Sequence, residues 1–470
     1  MTNGRRVSDL LPVGGRLIGD GDVLVDDVVQ DSGSVRSGSL FCCVRGSRFD
    51  GHDFADAAVT DGAAALLVER HVPGVNVPQL LVPDVREAIG RVAAMVHGTP
   101  SDELTMVGIT GTNGKTTTAQ MIASILRASG RTTEVVGTLS GGFTTPEASE
   151  LQRTLRRFVD RGTRAVAMEV SSHALELGRV NGTHFDAAVF TNLGRDHLDF
   201  HGDMEAYFSA KARLFEPDFC ERSIVNADDP WGRRILGSSR VPCTTFSIDD
   251  VEDLEVSALG HSYRWRGLRI GAPIGGSVNV MNSLAAATTA AEIGIESSAI
   301  VGGLAEMGPV SGRFQRVEAG QDFVILVDYA HTPDGLAAVL RSIRDASSGA
   351  RIFTVFGCGG DRDKAKRPLM GEVAVALSDS VIVTSDNPRS EDPAAIAASV
   401  VAGVPDHLRH RLVGVVLDRR EAIERAVRSA RTGDVVLIAG KGHETTQVTG
   451  TTVVEFDDRV VAARCVEALS

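Results

Sequence analysis

The stretch Met106-Val-Gly-Ile-Thr-Gly-Thr-Asn-Gly-Lys-Thr-Thr-Thr118 decides how the chain is read. It opens as a short apolar strand, turns through Gly111 and Gly114, and starts a helix at Lys115 and Thr116. Loop N–H groups and the positive end of a helix dipole make an anion site, to which a lysine adds a full charge and a threonine hydroxyl a ligand for Mg2+. Thr110, Gly111, Thr112, Asn113, Gly114, Lys115 and Thr116 are therefore expected to bind the phosphates of ATP or GTP. The general pattern G-x-x-x-x-G-K-S/T places a glycine at 109, where this chain has Ile109. The helix supports the reading nonetheless, since Ile122, Ile125, Leu126 and Ser129 recur at helical spacing and Gly130 is a natural stop. A glycine turn before an ordinary helix is the plainer alternative, and the strand, loop and helix context disfavours it.

Working outward, 470 residues exceed one ordinary core, so roughly two to four domains are expected, and three fit best. The fold class is α/β. A small N-terminal α/β domain is expected over 1–102, a central P-loop ATPase-like domain with a mainly parallel sheet over 103–311, and a C-terminal Rossmann-like doubly wound domain over 312–470. The net charge of −13 argues against a general nucleic-acid binder but leaves local basic pockets open. No apolar run is long enough to cross a bilayer, and Met1 to Gly15 lacks the core of a signal peptide, so a cytoplasmic protein is expected. The six cysteines show no C-x-x-C spacing, which points to neither a disulfide framework nor a zinc site.

In the first domain Val23 to Val29 reads as a strand, Ala63 to Val68 and Gln79 to Val82 as further strands, and Ala88 to Val96 as a helix. Ser32 can donate to a ligand or cap its own turn. In the central domain Thr144 and Thr145 precede Pro146, and anion binding or helix capping by Thr145 fit equally. Glu169 ends the apolar strand Ala165 to Val170, where open α/β sheets collect ligands, and Mg2+ is its obvious partner. His197 follows the strand Ala187 to Thr191 and is a second candidate ligand. Lys211 lies on a helix, where a lysine is normally a solvated charge. Alternation between Asp249 and Gly275 predicts an antiparallel excursion.

In the C-terminal domain four buried strands end in Asp328-Tyr-Ala-His331, Gly357-Cys-Gly-Gly-Asp-Arg-Asp363, Asp386-Asn-Pro-Arg389 and Gly440-Lys-Gly-His-Glu444. Polar clusters on one rim of a doubly wound sheet mark a ligand site. Gly357-Cys-Gly-Gly360 does not match G-x-G-x-x-G, which disfavours a nicotinamide enzyme.

Thr110 to Thr116, Glu169-Val-Ser-Ser-His173, Asn192 to Asp199, the Lys211 helix, Asp328 to His331 and Asp386 to Arg389 closely resemble the Mur ligases. The likeness spans all three domains in order and is nearest to the branch that adds 2,6-diaminopimelate. It implies ATP-dependent amide synthesis for peptidoglycan. ATP would phosphorylate the D-glutamate side-chain carboxylate of UDP-N-acetylmuramoyl-L-alanyl-D-glutamate, and the amine of meso-diaminopimelate would attack the resulting acyl phosphate.

By the same resemblance Lys115, His197 and Lys211 are catalytic, and Thr116, Glu169, His197 and a carbamylated Lys211 serve the metal. Asn279, Asn282, Arg313 and Asp328 join Thr110 to Thr116 on ATP. Ser32, Thr144, Thr145, Ser171 and Arg179 hold the UDP-linked substrate. Arg362, Asp386, Asn387, Pro388, Arg389, Gly440 and Glu444 hold diaminopimelate, whose extra carboxylate suits an arginine fork. A monomer is expected, with no nucleic-acid partner and no membrane segment. Three departures lie on the acceptor side: the short loop Gly137 to Thr145, Gly33 in place of an arginine, and Leu177 in place of a glutamine. The rival readings are a ligase adding lysine or using another acceptor such as folate, and a noncatalytic nucleotide-binding scaffold.

Overall fold

The computed structural model describes residues 4–11, 14–46, 49–347 and 349–469; positions 1–3, 12–13, 47–48, 348 and 470 of the expected domains lie outside the described residues. The first large sheet has five strands in the order Arg16–Ile18, Gln79–Leu81, Ala65–Val68, Ser39–Cys42 and Asp27–Val29. Only the Arg16–Ile18 edge is antiparallel. Ser39–Cys42 and Ala65–Val68 are buried at every position, so neither shows an alternating pattern.

Two expectations need correction in this part. Val23 to Val29 is not one strand, because Leu24–Val25 pairs antiparallel with Arg5–Arg6 while Asp27–Val29 pairs parallel with the strand Ser39–Cys42. The chain changes partners at Asp26, which hydrophobic alternation does not signal. The helix expected from Ala88 begins at Val85, since the Asp84 carboxylate accepts from the Glu87 N–H at 3.0 Å and caps it earlier.

The central sheet has six strands, all parallel, in the order Cys243–Phe246, Ser223–Asn226, Ala187–Phe190, Thr105–Thr110, Ala165–Glu169, Thr133–Val136. From Thr105–Thr110 the chain builds first to one side and then to the other, which opens a crevice at the C-terminal ends of the strands. Helix Lys115–Ala128 packs against Ser277–Glu292 and Ser297–Ala305 and buries Met121, Ile122, Ile125 and Leu126. The excursion predicted after Asp249 is a three-stranded antiparallel sheet of Glu252–Val256, His261–Trp265 and Leu268–Ala272.

The C-terminal sheet also has six strands, with only the Gln315–Val317 edge antiparallel. Val435–Ala439 is inserted between Val324–Asp328 and Ile352–Phe356, so all four polar clusters named from the sequence share one rim. That rim faces the phosphate loop. Asp334 accepts from the Arg195 N–H at 3.1 Å, and Ser342 accepts from the Val278 N–H at 3.1 Å. The first sheet is tied to the central one through Arg153, which donates to Asp27 at 2.9 Å and to the Val28 carbonyl at 3.0 Å. Among the described residues no helix is long and apolar enough to cross a membrane.

Candidate functional site

The phosphate loop forms where the sequence places it. Gly111 and Gly114 adopt φ of 150° and 87°, and a Cβ there would lie 1.9 Å from Thr191 Oγ1 and 2.4 Å from Asn282 Oδ1. Both positions therefore require glycine. Helix Lys115–Ala128 begins without a side-chain cap, which leaves its positive end for an anion.

Two lysines converge on this loop. Lys115 Nζ donates to the carbonyls of Gly111 at 2.8 Å and Thr112 at 2.9 Å, and Lys211 Nζ donates to the same Gly111 carbonyl at 2.9 Å. Lys211 is only 1% exposed and lies 4.7 Å from the centre of the Tyr207 ring, whose hydroxyl meets Thr112 Oγ1 at 3.1 Å. Burial, reinforced by the neighbouring Lys115, drives the Lys211 amine well below the ordinary lysine value. The solvated charge expected of a helical lysine is thus replaced by a buried amine bonded to a loop carbonyl. Burial lowers Lys115 too, against the pull of Glu169.

Glu169 is 1% exposed, and among the described residues it makes no ion pair. Its Oε2 accepts from the hydroxyls of Thr116 at 2.9 Å and Thr138 at 3.2 Å, and its Oε1 from the Thr138 N–H at 2.8 Å. A buried carboxylate held by neutral donors alone, with a hydroxyl oxygen beside it, fits a hard cation. Among the described residues no group of three or more His, Cys, Asp or Glu side chains is placed to hold a metal ion by itself. His197 stands at the head of helix Leu198–His201 with φ 53°, its ring edge-on to His173 at 4.7 Å.

Arg313 crosses from the C-terminal part to donate to Thr116 Oγ1 at 3.1 Å, its guanidinium 4.5 Å above the Tyr329 ring. Asp328 accepts from the N–H groups of Phe314 at 2.6 Å and Ala330 at 2.7 Å, and so fixes the turn that carries Arg313. Asn282 presses on Gly114 and donates to Asn279 Oδ1 at 2.9 Å, while Asn279 donates to the Gly275 carbonyl at 2.7 Å.

Around Ser32 and Thr145 two local readings are corrected. The turn at Ser32 is capped by Asp31, which accepts from the Gly33 N–H at 3.0 Å, so the Ser32 hydroxyl is not its cap. Thr145 does not cap the following helix either, because Ala148–Asp160 starts after Glu147 with no side-chain cap. Thr145 Oγ1 instead donates to the Glu169 carbonyl at 3.0 Å and accepts from the Ser171 N–H at 3.0 Å, tying its loop to the strand end that bears the buried acid. Thr144 meets Thr138 at 3.2 Å. Ser171 caps helix Ser172–Glu176. Arg179 pairs with Glu147 at 2.6 Å, donates to the Thr145 carbonyl at 3.2 Å, and lies 4.5 Å from the centre of the Phe143 ring. A cavity of about 600 Å3 adjoins these groups, between Gln30, Asp31 and Ser34 of the first sheet's loop and Phe143, Arg153 and Arg157 of the central part.

On the opposite rim, Asp386 is buried, which raises its carboxyl, and a Cβ on Gly440 would lie 2.9 Å from its Oδ2. Asn387 Nδ2 donates to Glu444 Oε2 at 2.7 Å. Arg389 has φ 53° and donates to the Gly360 carbonyl at 2.7 Å, which brings the Asp386 to Arg389 turn against the glycine cluster after Ile352–Phe356. Pro388 closes that contact, its carbonyl packed on Gly360. Arg362 is exposed beside them.

Three family models match this chain: Mur ligase family, catalytic domain, at 25–97; Mur ligase middle domain at 109–290; and Mur ligase, glutamate ligase domain, at 312–442. The UDP-N-acetylmuramoyl-L-alanyl-D-glutamate--2,6-diaminopimelate ligase of Syntrophomonas wolfei is 44% identical over 461 residues, covering 93% of this chain and 94% of the relative. The chain belongs to the Mur ligase family. A ligase of the same name from Geobacillus kaustophilus is 44% identical over 466 residues, covering 93% of this Mur ligase and 94% of its own length. A solved structure with that name superposes with a TM-score of 0.71 at 32% identity over 99% of both chains. The MurF ligase of Thermotoga maritima in complex with ADP, at 20% identity and a TM-score of 0.64 over 95% of this chain and 97% of its own, shares the fold.

In this Mur ligase the sequence reading missed several buried polar residues. Thr138 supplies two of the three hydrogen bonds to the Glu169 carboxylate, and Tyr207 covers Lys211 from one turn earlier on the same helix. Lys441 and Arg419 are buried beneath the C-terminal rim. Position four residues before Lys211 on one helical face is a signal that spacing alone could have given for Tyr207.

Proposed function

We propose that this protein is an ATP-dependent ligase that adds meso-2,6-diaminopimelate to the D-glutamate side-chain carboxylate of UDP-N-acetylmuramoyl-L-alanyl-D-glutamate, in the cytoplasm, as a step of peptidoglycan precursor synthesis. The observation that carries this reading is the 44% identity, across 93% of the chain, to curated ligases of that name. The Asp386 to Arg389 turn, with its arginine facing Gly359 and Gly360, supports diaminopimelate over lysine.

The domains over 1–102, 103–311 and 312–470 contribute acceptor, nucleotide and amino-acid contacts in turn. The phosphates of ATP bind at Thr110 to Thr116, with Lys115 leaving the loop carbonyls to meet them. Arg313, already over the loop, adds positive charge where the transferring phosphoryl group carries negative charge. Mg2+, held by Thr116, Glu169, His197 and a carbamate on Lys211, would neutralise phosphate charge as two anions approach. A carbamate would form when the unprotonated Lys211 amine adds to CO2 and releases a proton, which would put an oxygen donor where the nitrogen stands.

Ser32, Thr144, Thr145, Ser171 and Arg179 orient the acceptor so that its carboxylate takes the γ-phosphoryl group, giving an acyl phosphate and ADP. Arg389 and Arg362 take the distal carboxylate of diaminopimelate, and Glu444 takes its ammonium. The free amine at the other end attacks the acyl carbon, and the tetrahedral intermediate collapses with loss of phosphate. The experiment is mass analysis of the product from ATP, the UDP-dipeptide and an equimolar mixture of diaminopimelate and lysine. A diaminopimelate adduct with stoichiometric ADP is expected; a lysine adduct, or no ADP, would overturn the reading.

A further inference from the structure

The cluster Gly440-Lys-Gly-His-Glu444 contains a residue that no role above absorbs. Lys441 is 0% exposed although it lies in a loop at a ligand-facing rim. A lysine has three N–H donors and no acceptor, so burying it demands three acceptors. All three are present: Thr446 O at 2.6 Å, Asn387 Oδ1 at 3.1 Å and Glu444 Oε2 at 3.2 Å.

The two side-chain acceptors are the informative ones. Asn387 belongs to the Asp386 to Arg389 turn and Glu444 to the loop after Val435–Ala439, so one ammonium ties together two loops from different strands. Asn387 is fixed further: its Oδ1 accepts from the Val448 N–H at 3.0 Å and its Nδ2 donates to Glu444 Oε2 at 2.7 Å. Lys441 and Asn387 thus both address Oε2 of Glu444, a side chain 30% exposed, and among the described residues Oε1 makes no hydrogen bond. Two donors on the same oxygen hold this carboxylate at the rim.

We propose that Lys441 is a positioning residue for the incoming amino acid, holding Glu444 so that Oε1 receives the substrate ammonium and holding Asn387 so that the turn presenting Arg389 keeps its distance from it. This inference rests on the proposed diaminopimelate site. The selectivity follows from the geometry, since a zwitterionic end with ammonium and carboxylate on one carbon needs its acid and its base partner at a fixed separation. Lys441 sets that separation from below and touches no substrate.

The test is steady-state kinetics of the full-length protein and its Lys441→Met variant, which keeps the buried volume but removes the donors. The KM for diaminopimelate should rise at least about tenfold, with kcat within about threefold and the KM values for ATP and the UDP-dipeptide within about twofold. In a Glu444→Gln background the same change should raise that KM clearly less than it does in the wild type, because the carboxylate it positions is gone and only its hold on Asn387 remains. Should Lys441→Met not fold, Lys441→Gln, which keeps a donor for Thr446 O, takes its place. An unchanged KM for diaminopimelate, an equal rise in all three KM values, or full additivity with Glu444→Gln would overturn the inference. A wild-type protein that makes no diaminopimelate product would instead overturn the functional reading beneath it.

Discussion

The phosphate loop and the C-terminal rim face each other, yet their charged groups are treated in opposite ways. At the loop the cations are spent on the chain's own carbonyls: Lys115 and Lys211 share Gly111 O, and both amines are lowered by burial. Beneath the rim the cations are locked to side chains and loops of the proposed amino-acid site. Lys441 holds Asn387 and Glu444, and Arg419 makes a two-point pair with Asp458 at 2.7 Å, both residues fully buried. Arg419 also donates to the carbonyls of Ser385 at 3.2 Å and Ala439 at 2.9 Å, the residues that immediately precede the two rim loops. A site that binds a highly charged nucleotide must let its cations go to the ligand, whereas a site that selects one amino acid by shape must not let its partners move.

This contrast is most exposed to a change at Asp458. Asp458→Asn leaves the Arg419 guanidinium buried without its counter-charge, and breaking such a pair costs about 3–5 kcal/mol. Urea denaturation should report a loss of that size. A loss under about 1 kcal/mol would mean that the carbonyls of Ser385 and Ala439 hold Arg419 unaided, and the rim would not be built on this pair.

Lys115→Met probes the other side. Gly111 O keeps Lys211 as a donor when Lys115 is gone, so stability should move by no more than about 1 kcal/mol. Substrate-dependent ADP release should nonetheless fall about 100- to 1,000-fold, the usual cost of removing one preorganised charge from a transition state. Equal damage to stability and turnover would erase the distinction between the two regions.

The two regions also differ in how far the sequence discloses them. The loop is legible because its glycines are forced: positive φ and contacts under 2.5 Å leave nothing else at 111 and 114, and the helix after them carries a plain apolar stripe. The rim's loops are legible as polar clusters, but their supports are not. Arg419 and Asp458 each sit at the start of a helix, 39 residues apart, where a charge ordinarily faces water. Lys441 is flanked by two glycines, the setting of an exposed loop. Lys211 misled for the same reason, since nothing local says that its helix is turned inward under Tyr207. Buried charge is decided by which strands are neighbours, and strand order is a long-range property. The break at Asp26 and the true role of Thr145 were hidden likewise, each depending on a partner far along the chain.

The smallest expected effect lies at Arg179, which extends the loop's behaviour to the acceptor side. Its guanidinium is held by Glu147 at 2.6 Å and lies near the Phe143 ring, while among the described residues its buried Nε has no hydrogen-bond partner. Under the proposed function, an anionic group of the acceptor that reaches Arg179 would have to compete with Glu147, as ATP would have to compete with Gly111 O for Lys115. The pair is partly open to solvent, with side chains 11% and 27% exposed, so its strength is at most about 1 kcal/mol. Glu147→Gln should accordingly lower the KM for the UDP-dipeptide by roughly two- to fivefold and leave the KM for diaminopimelate unchanged. A rise in the acceptor KM would show the reverse arrangement, with Glu147 holding Arg179 in its working pose, and the acceptor side would then belong with the pre-wired rim rather than with the self-bonded loop.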